Sequence, residues 1–479
     1  MYRYTANPRP DAFVRDAPTV LAYAALGCFT FWLYAFGPAL TLLRDELRFS
    51  YTLLGVYSTL WAAGAALAGA SFTRLARRLP RSRLLWGSAI GAAAGAVLFT
   101  LGGSVPVTLV GAGVFGLAGT TMLTVIQAIL SDRHGSRREQ ALTEANIGAG
   151  ASAVLAPLAL GALAGGVVGW RAVFALPMVV LAALYLRFRR EPLTTATPRH
   201  PDRPPRDRTA PYDKPPPPSL STRTGRDEHS PPRPRMPAGR YRARTFGGLP
   251  AACWMFAVLT AIGSAIEFCL VYFGPQMLVT TGLSATAAGT ALGSNLFGIL
   301  VGRIVGARLT RRPGRTVTLL YASLAITAVG FLLFWLTGHP TAAILGLFVC
   351  GLGIANLYPL SLALTFDAAD GRDDEANARS QVVLGLVAAA SPYLLGSLAD
   401  RYGLTAAFTL EPTLIVLSVL LLAAGLRAHS RVARSTADEV TTPPIDPATT
   451  NQATTNQATT NPATSDSLPA RPGKSGLRA

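Results

Sequence analysis

The sequence predicts an all-α polytopic membrane protein with twelve transmembrane helices in two six-helix pseudo-repeats, and three observations carry that prediction. The 479 residues are 50% hydrophobic and only 14% charged, against about 25% charged in a soluble domain. The charges collect in short connections, leaving apolar stretches of about 20 residues, each long enough to cross a hydrocarbon core as a helix. Motifs also recur at a nearly constant separation. Phe36-Gly37-Pro38 returns as Phe273-Gly274-Pro275, and Gly69, Thr73, Arg74 and Arg78 return as Gly306, Thr310, Arg311 and Arg315, all 237 positions on. Ser50 and Gly55 return as Ser284 and Gly289, Gly116 and Asp132 as Gly351 and Asp367, and Pro157 and Gly161 as Pro392 and Gly396, at offsets of 234 to 235. One module is written twice.

Taken in order, the apolar stretches lie near residues 18–43, 52–72, 84–104, 107–130, 142–168, 171–187, 249–278, 285–307, 316–338, 341–366, 380–399 and 404–427. Helices satisfy backbone polar groups within lipid, and the alternation that strands require is absent. The predicted plan is a tail at 1–17, a first bundle at 18–190, a linker at 191–247, a second bundle at 248–427 and a tail at 428–479. The linker holds Pro215 to Pro218 and almost no aliphatic residues, and the tail repeats Asn-Gln-Ala-Thr-Thr. Both read as disordered, since neither buries enough apolar surface to offset ordering.

The basic residues set the expected orientation. Arg74, Arg77, Arg78, Arg81 and Arg83 follow the second span, Arg133, Arg137 and Arg138 the fourth, and Arg308, Arg311, Arg312 and Arg315 the eighth, while the connections 102–105 and 280–282 carry no positive charge. The positive-inside rule places both termini and the linker in the cytoplasm of a protein in the cell membrane, inner or plasma. The N-terminus lacks the features of a cleaved signal peptide, so the first span is expected to be retained. A net charge of +18 also suits nucleic acid, but the basic residues are scattered over loops without a groove-binding surface. The lipid bilayer is the expected macromolecular partner, nucleic acid is not, and the chain is expected to be monomeric.

Enzymatic and cofactor readings find little support. Cys28, Cys253, Cys269 and Cys350 lie in the spans without metal-ligand spacing. The five histidines fall in loops or tails, and neither H-E-x-x-H nor a Walker sequence is present. Gly111, Gly113 and Gly116 spell G-x-G-x-x-G but sit inside a span with no preceding strand. No catalytic residue, metal or cofactor is expected.

After the second span the chain reads Gly69-Ala-Ser-Phe-Thr73-Arg74-Leu-Ala76-Arg77-Arg78. This resembles the loop signature of the major facilitator superfamily, with Thr73 in place of the acid and Ala76 in place of the second glycine. The second copy, Gly306 to Arg315, again has Thr310 in the acid's place. The resemblance implies the superfamily's twelve-helix fold and a cytoplasmic latch built from Gly69, Thr73, Arg74, Arg77, Arg78, Gly306, Thr310, Arg311 and Arg315 with Asp132 and Asp367. A threonine caps a helix without bringing charge, so a weaker latch is expected. Alternatively, these arginines only enforce topology and bind headgroups. The fifth span, with Asn146, Ser152, Pro157 and Gly161, is similar to that of the superfamily's drug/proton antiporters, and the stretch through Pro392 and Gly396 to its sugar-permease-like branches.

Among individual residues, Glu267 in the seventh span is the most informative. It falls near the bilayer midplane, where an unpaired charge costs at least ~2.5 kcal/mol, so its carboxyl is protonated, paired or exposed to a water-filled cavity. That suits a proton carrier, although a neutral acid bonded to another helix fits as well. Tyr34, Gln127, Tyr272 and Asn356 are candidates for contacting solute, with packing the competing reading. Pro157, Pro359 and Pro392 are candidate helix kinks. Asp132 is expected to pair with a nearby arginine, and Arg303 to snorkel from the inner end of the eighth span. Together with the superfamily resemblance, these residues imply a proton-coupled secondary transporter of a small organic solute working by alternating access. Efflux antiport, sugar-permease-like import and a non-transporting sensor or scaffold stay open.

Overall fold

Each apolar stretch closes its backbone hydrogen bonds within its own helix, and the computed structural model has twelve spans long and apolar enough to cross a membrane among the described residues. The structure describes residues 14–167, 169–191, 193, 245–246, 248–310 and 314–441. The first bundle contains α1 (Ala17–Leu47), α2 (Tyr51–Arg78), α3 (Arg81–Leu101), α4 (Val105–His134), α5 (Arg138–Ala164) and α6 (Ala172–Phe188). The second contains α7 (Ala251–Thr280), α8 (Ala285–Leu309), α9 (Thr316–Leu336), α10 (Pro340–Ile354), α11 (Leu357–Asp367), α12 (Asp373–Tyr402), α13 (Leu404–Ala407) and α14 (Leu410–Thr441). The tenth span is α10 with α11, broken at Ala355-Asn356, and the twelfth is α13 with α14. Both bundles belong to a compact unit ending at Ala428.

The repeat has a physical counterpart at the helix starts. Ser50 accepts a hydrogen bond from the Leu53 amide and Ser284 from the Ala287 amide, each at 3.2 Å, so the two repeated serines cap α2 and α8 alike. The bundle cores differ. Trp32, Phe36, Phe99, Phe115 and Phe174 are all nearly inaccessible and pack together in the first bundle, and Phe331, Phe334 and Phe408 in the second. Large apolar side chains such as Ile90 (72% exposed) and Leu186 (70% exposed) stand on the outside, a surface suited to lipid rather than water.

Several sequence expectations need correcting. The stretch Gly69 to Arg78 is not a loop but the last turns of α2, because no helix breaker precedes Leu79. Thr310 does not cap a helix N-terminus: it is the C-cap of α8, and its hydroxyl donates to the Gly306 carbonyl at 3.0 Å. The expected disordered tail begins as helix, since α14 continues to Thr441 through the helix formers Ala428, Arg431 and Ala433. Within the expected linker, residues 245–246 pair antiparallel with Leu249–Pro250. The linker's central part, Arg311, the side chain of Thr73 and the Asn-Gln-Ala-Thr-Thr repeat lie outside the described residues.

The bundles meet through α2 with α12, α5 with α8, and α1 with α7. These contacts are unequal along the helices. At the end away from the basic connections, a Cβ on Gly55 would stand 2.7 Å from the Pro392 carbonyl oxygen, and Gly396 lies against the Tyr51 carbonyl. Gly161 lies against Thr290, and Thr59 donates to the Ala389 carbonyl at 2.8 Å. Asp400 closes this seam by accepting from the backbone N–H of Tyr51 and Thr52 at 2.9 and 2.7 Å, a carboxylate on the positive end of a long helix. Toward the basic end, a Cβ on Gly69 of α2 or Gly385 of α12, in register with Gly55 and Gly396, has no neighbour within 4 Å, whereas on α5 contact persists as far as Gly150 against Leu300. The bundles are closed at the far end and part toward the basic end.

At that basic end the first bundle is tied internally. Asp16 caps α1, accepting from the Thr19 amide at 3.1 Å and its hydroxyl at 2.7 Å, and pairs with Arg133 of α4. Burial works against ionisation of Asp16, but the hydrogen bonds from Thr19 and Arg133 outweigh it and hold the carboxyl below its ordinary range. Its contribution to stability is therefore full above the unfolded aspartate value of about 4 and disappears as pH falls through the lower folded value. Asp16→Asn keeps the cap but loses the ion pair with Arg133, and should lower thermal stability at pH 7 by about 0.2 to 1 kcal/mol, with the difference shrinking below pH ~4 when melting is followed in detergent across pH. Gly55→Val should push α2 off α12 and lower stability by about 1 to 3 kcal/mol. It should also raise the reactivity of a cysteine placed at Thr59 toward reagent added at the far end, and unchanged reactivity would refute the closed seam.

Candidate functional site

α1 and α7, equivalent helices of the two bundles, bring the site together. The Tyr34 hydroxyl donates to Glu267 Oε1 at 2.8 Å. Each residue stands 13 positions from the far end of its helix, about 20 Å along the axis, so the two are level. Next to them toward the far end, Phe36 meets Tyr272 edge-on with centroids 6.2 Å apart, and a Cβ on Gly37 would stand 2.6 Å from the Val271 carbonyl oxygen. Glu267 and Tyr34 are both half-buried. The pair thus sits where tight interhelical packing gives way to the space between the bundles.

The structure distributes the other sequence candidates differently. Tyr272 is buried at 4% exposure and packs on Phe36 and Phe268, forming the floor above the Glu267 carboxyl rather than lining open space. Gln127 is exposed on α4 without a hydrogen bond among the described residues, and it lies 22 positions from the far end of its helix, about 33 Å. That is well below Glu267. Asn356 donates to the Gly302 carbonyl at 3.2 Å and packs against Gly306, so its amide holds the break between α10 and α11 against α8. Pro359 sits in the first turn of α11 after that break, while Pro157 and Pro392 lie inside α5 and α12 on the closed seam.

The basic-end residues do not gather into one cluster. Asp132 pairs with Arg81 at 3.1 Å, an arginine partner as its placement implies. Asp367 is exposed at the end of α11 with no hydrogen bond or ion pair among the described residues, and Gly69, Arg74, Arg77, Arg78 and Arg315 are exposed as well. Among the described residues, no group of three or more His, Cys, Asp or Glu could hold a metal.

Two charged residues gain importance only in the structure. Arg303 is exposed on α8, on the face whose Gly289, Gly293 and Leu300 meet the first bundle, so it stands at the bundle boundary. Its spacing was the available signal: Arg303 lies 14 positions from Gly289, which packs on Pro38 of α1. Glu411, in the first turn of α14, is fully buried, and neither carboxyl oxygen meets a strong hydrogen-bond donor. The Cys269 thiol, a weak donor, stands beside it, with Cys350 nearby. An acid seven positions into the twelfth span was visible in the sequence.

A family model described as Major Facilitator Superfamily matches residues 21–374 and again 256–462. No curated protein sequence matches the chain. Solved structures share the fold at low identity. A bacterial homologue of the human lysosomal transporter Spinster, inward-facing and unoccupied, aligns with a TM-score of 0.59 at 17% identity, covering 89% of this chain and 98% of its own. The peptide transporter POT in complex with sulfate gives 0.61 at 17% identity, covering 88% and 97%. The nucleoside transporter NupG gives 0.58 at 14% identity, covering 86% and 98%.

Because Glu411 is fully buried beside no stronger donor than the Cys269 thiol, replacing it with an apolar side chain of similar length should remove a cost of about 1 to 3 kcal/mol. Glu411→Met should therefore raise the melting temperature of the purified protein. A fall instead would reveal a partner for the carboxyl in the folded state.

Proposed function

The chain belongs to the major facilitator superfamily, and from that premise we propose that it moves a small organic solute across a lipid bilayer by alternating access, coupled to protons through Glu267. The observation that carries this reading is the Tyr34 to Glu267 hydrogen bond at 2.8 Å. It joins one bundle to the other at mid-depth, at the closed end of a gap. Separating α1 from α7 breaks it and leaves the carboxyl to water or solute. Carboxyl protonation and bundle spacing are then linked: whatever changes one shifts the other by the same free energy.

The division of labour follows. Arg74, Arg77 and Arg78 fix the basic end on the cytoplasmic face of the cell membrane, so the gap opens toward the cytoplasm, with both termini on that side. The seam of Gly55, Gly396, Gly161 and Asp400 excludes solute from the other side. Rocking of the bundles about the Glu267 level exchanges the two openings. Gln127, lower in the gap, is the solute contact among the original candidates that remains exposed, and Tyr272 shapes the floor. Thr73 and Thr310 leave the basic end without the acid of a strong latch, which favours the present opening. A monomer suffices for this cycle. Structural neighbours named as carriers of peptides and nucleosides support a small polar organic solute.

The experiment is proton movement into proteoliposomes, reported by a trapped pH dye, as sugars, drugs and amphipathic metabolites are added in turn. Glu267→Gln should abolish solute-dependent proton flux while leaving solute exchange measurable, and Tyr34→Phe should slow both. Gradient-driven accumulation at full rate in Glu267→Gln would overturn the assignment.

A further inference from the structure

We propose that the solute carries an anionic group, a carboxylate or a phosphate, and that Arg303 binds it; the proposal rests on the transport reading above. On α8 one stripe faces the first bundle. Gly289 packs on Pro38 and Leu160, Gly293 on Pro157, and Leu300 reaches Gly150. Arg303 is the next residue of that stripe, two heptads on from Gly289. The adjoining face, with Gly302 and Gly306, is packed onto Ala355 and Asn356 of its own bundle. The guanidinium therefore enters the gap between the bundles, not the lipid.

Its depth is part of the argument. Arg303 lies 18 positions from the far end of α8, about 27 Å, between the levels of Glu267 and Gln127. An arginine within the membrane is expensive unless water or a counter-charge meets it. Arg303 is exposed and makes no hydrogen bond or ion pair among the described residues. The nearby carboxyl, Glu267, takes its hydrogen from Tyr34 instead. An unpaired planar fork of N–H donors in a water-filled gap matches carboxylate or phosphate oxygens two at a time.

The placement also sets the sign of coupling. Glu267, Arg303 and Tyr272 all act electrostatically on the Tyr34 hydroxyl, whereas Arg372, Glu375 and Arg379 of α12 act on Cys253, 14 positions nearer the basic end of α7. Both Glu267 and Arg303 face the Tyr34 hydroxyl, so a negative charge on Glu267 and an anion held by Arg303 repel one another across the gap. Binding a proton at Glu267 removes that repulsion, so proton and anion bind together. For a monoanion the loaded site gains one proton and one negative charge, which leaves its net charge unchanged. That makes the cycle a symport.

The test is a binding titration of the purified full chain with benzoate, phenyl phosphate and neutral benzamide at constant ionic strength and pH 7.5. At least one anion should bind and benzamide should not. Arg303→Gln should weaken anion binding about tenfold or more, as loss of a charged hydrogen bond predicts, and Arg303→Lys should lie between. Glu267→Gln, which cannot carry a negative charge, should bind the anion more tightly than wild type. Equal affinities in wild type and Arg303→Gln, or binding of benzamide as tight as benzoate, would overturn the proposal. So would binding of phosphatidylglycerol alone through Arg303, which would make the site a headgroup anchor. If anions fail while proton flux with a neutral solute persists, the substrate class falls and transport stands. Anion binding through Arg303 without flux for any solute would keep this site and remove the transport reading.

Discussion

Inside a hydrocarbon layer no water is available to a peptide group, so every amide must find its partner within its own helix. This constraint shapes the rest of the molecule. It also withdraws the usual force that drives helices together, since a lipid tail is as apolar as a leucine. Cohesion between the bundles comes instead from close approach. Gly37, Gly55, Gly161 and Gly396 let backbone meet backbone or side chain where a methyl group would intrude. Such contacts are short-range and all-or-none along a seam.

Against that background each polar side chain at depth is conspicuous, and the chain treats three of them differently. Glu267 reaches across a boundary to Tyr34. Arg303 is exposed on the face of α8 that packs on the first bundle, and Glu411 is sealed inside its own bundle beside the weakly donating Cys269 thiol. The first two sit at the boundary between the bundles, so their energies depend on how the bundles are spaced. The third is enclosed by its own bundle, and that bundle must bear its burial in this conformation.

Much of the fold was legible because the signals were long. Twelve apolar runs, a charge pattern that alternates between connections and a repeat of 234 to 237 positions each integrate over many residues. Glu267 was legible because a carboxyl at mid-span has few innocuous explanations. Tyr34 was named without its partner, since the contact joins residues 233 positions apart and no local pattern encodes it. Asn356 resembled a cavity residue by type, but a side-chain amide beside a helix break is equally able to satisfy a neighbouring carbonyl, and here it reaches Gly302. Arg303 was read from its distance to the membrane edge, where its direction around the helix mattered more. The threonines in the acid positions were misjudged because α2 runs on through its motif and α8 reaches Leu309, which puts Thr73 inside a helix and Thr310 at a helix C-terminus.

The carboxylate of Asp400 rests on the main chain of Tyr51 and Thr52, not on their side chains. Its partner is thus a property of a helix beginning there, and almost any residue at 51 or 52 supplies the same N–H groups; proline, which has none, is the exception. Half of this interaction is therefore exempt from drift in sequence. The corresponding place in the first module, Gly165-Gly166, holds no acid. The two halves have diverged in how firmly each side of the entrance is held, and a survey of side-chain identities would register only one member of the pair.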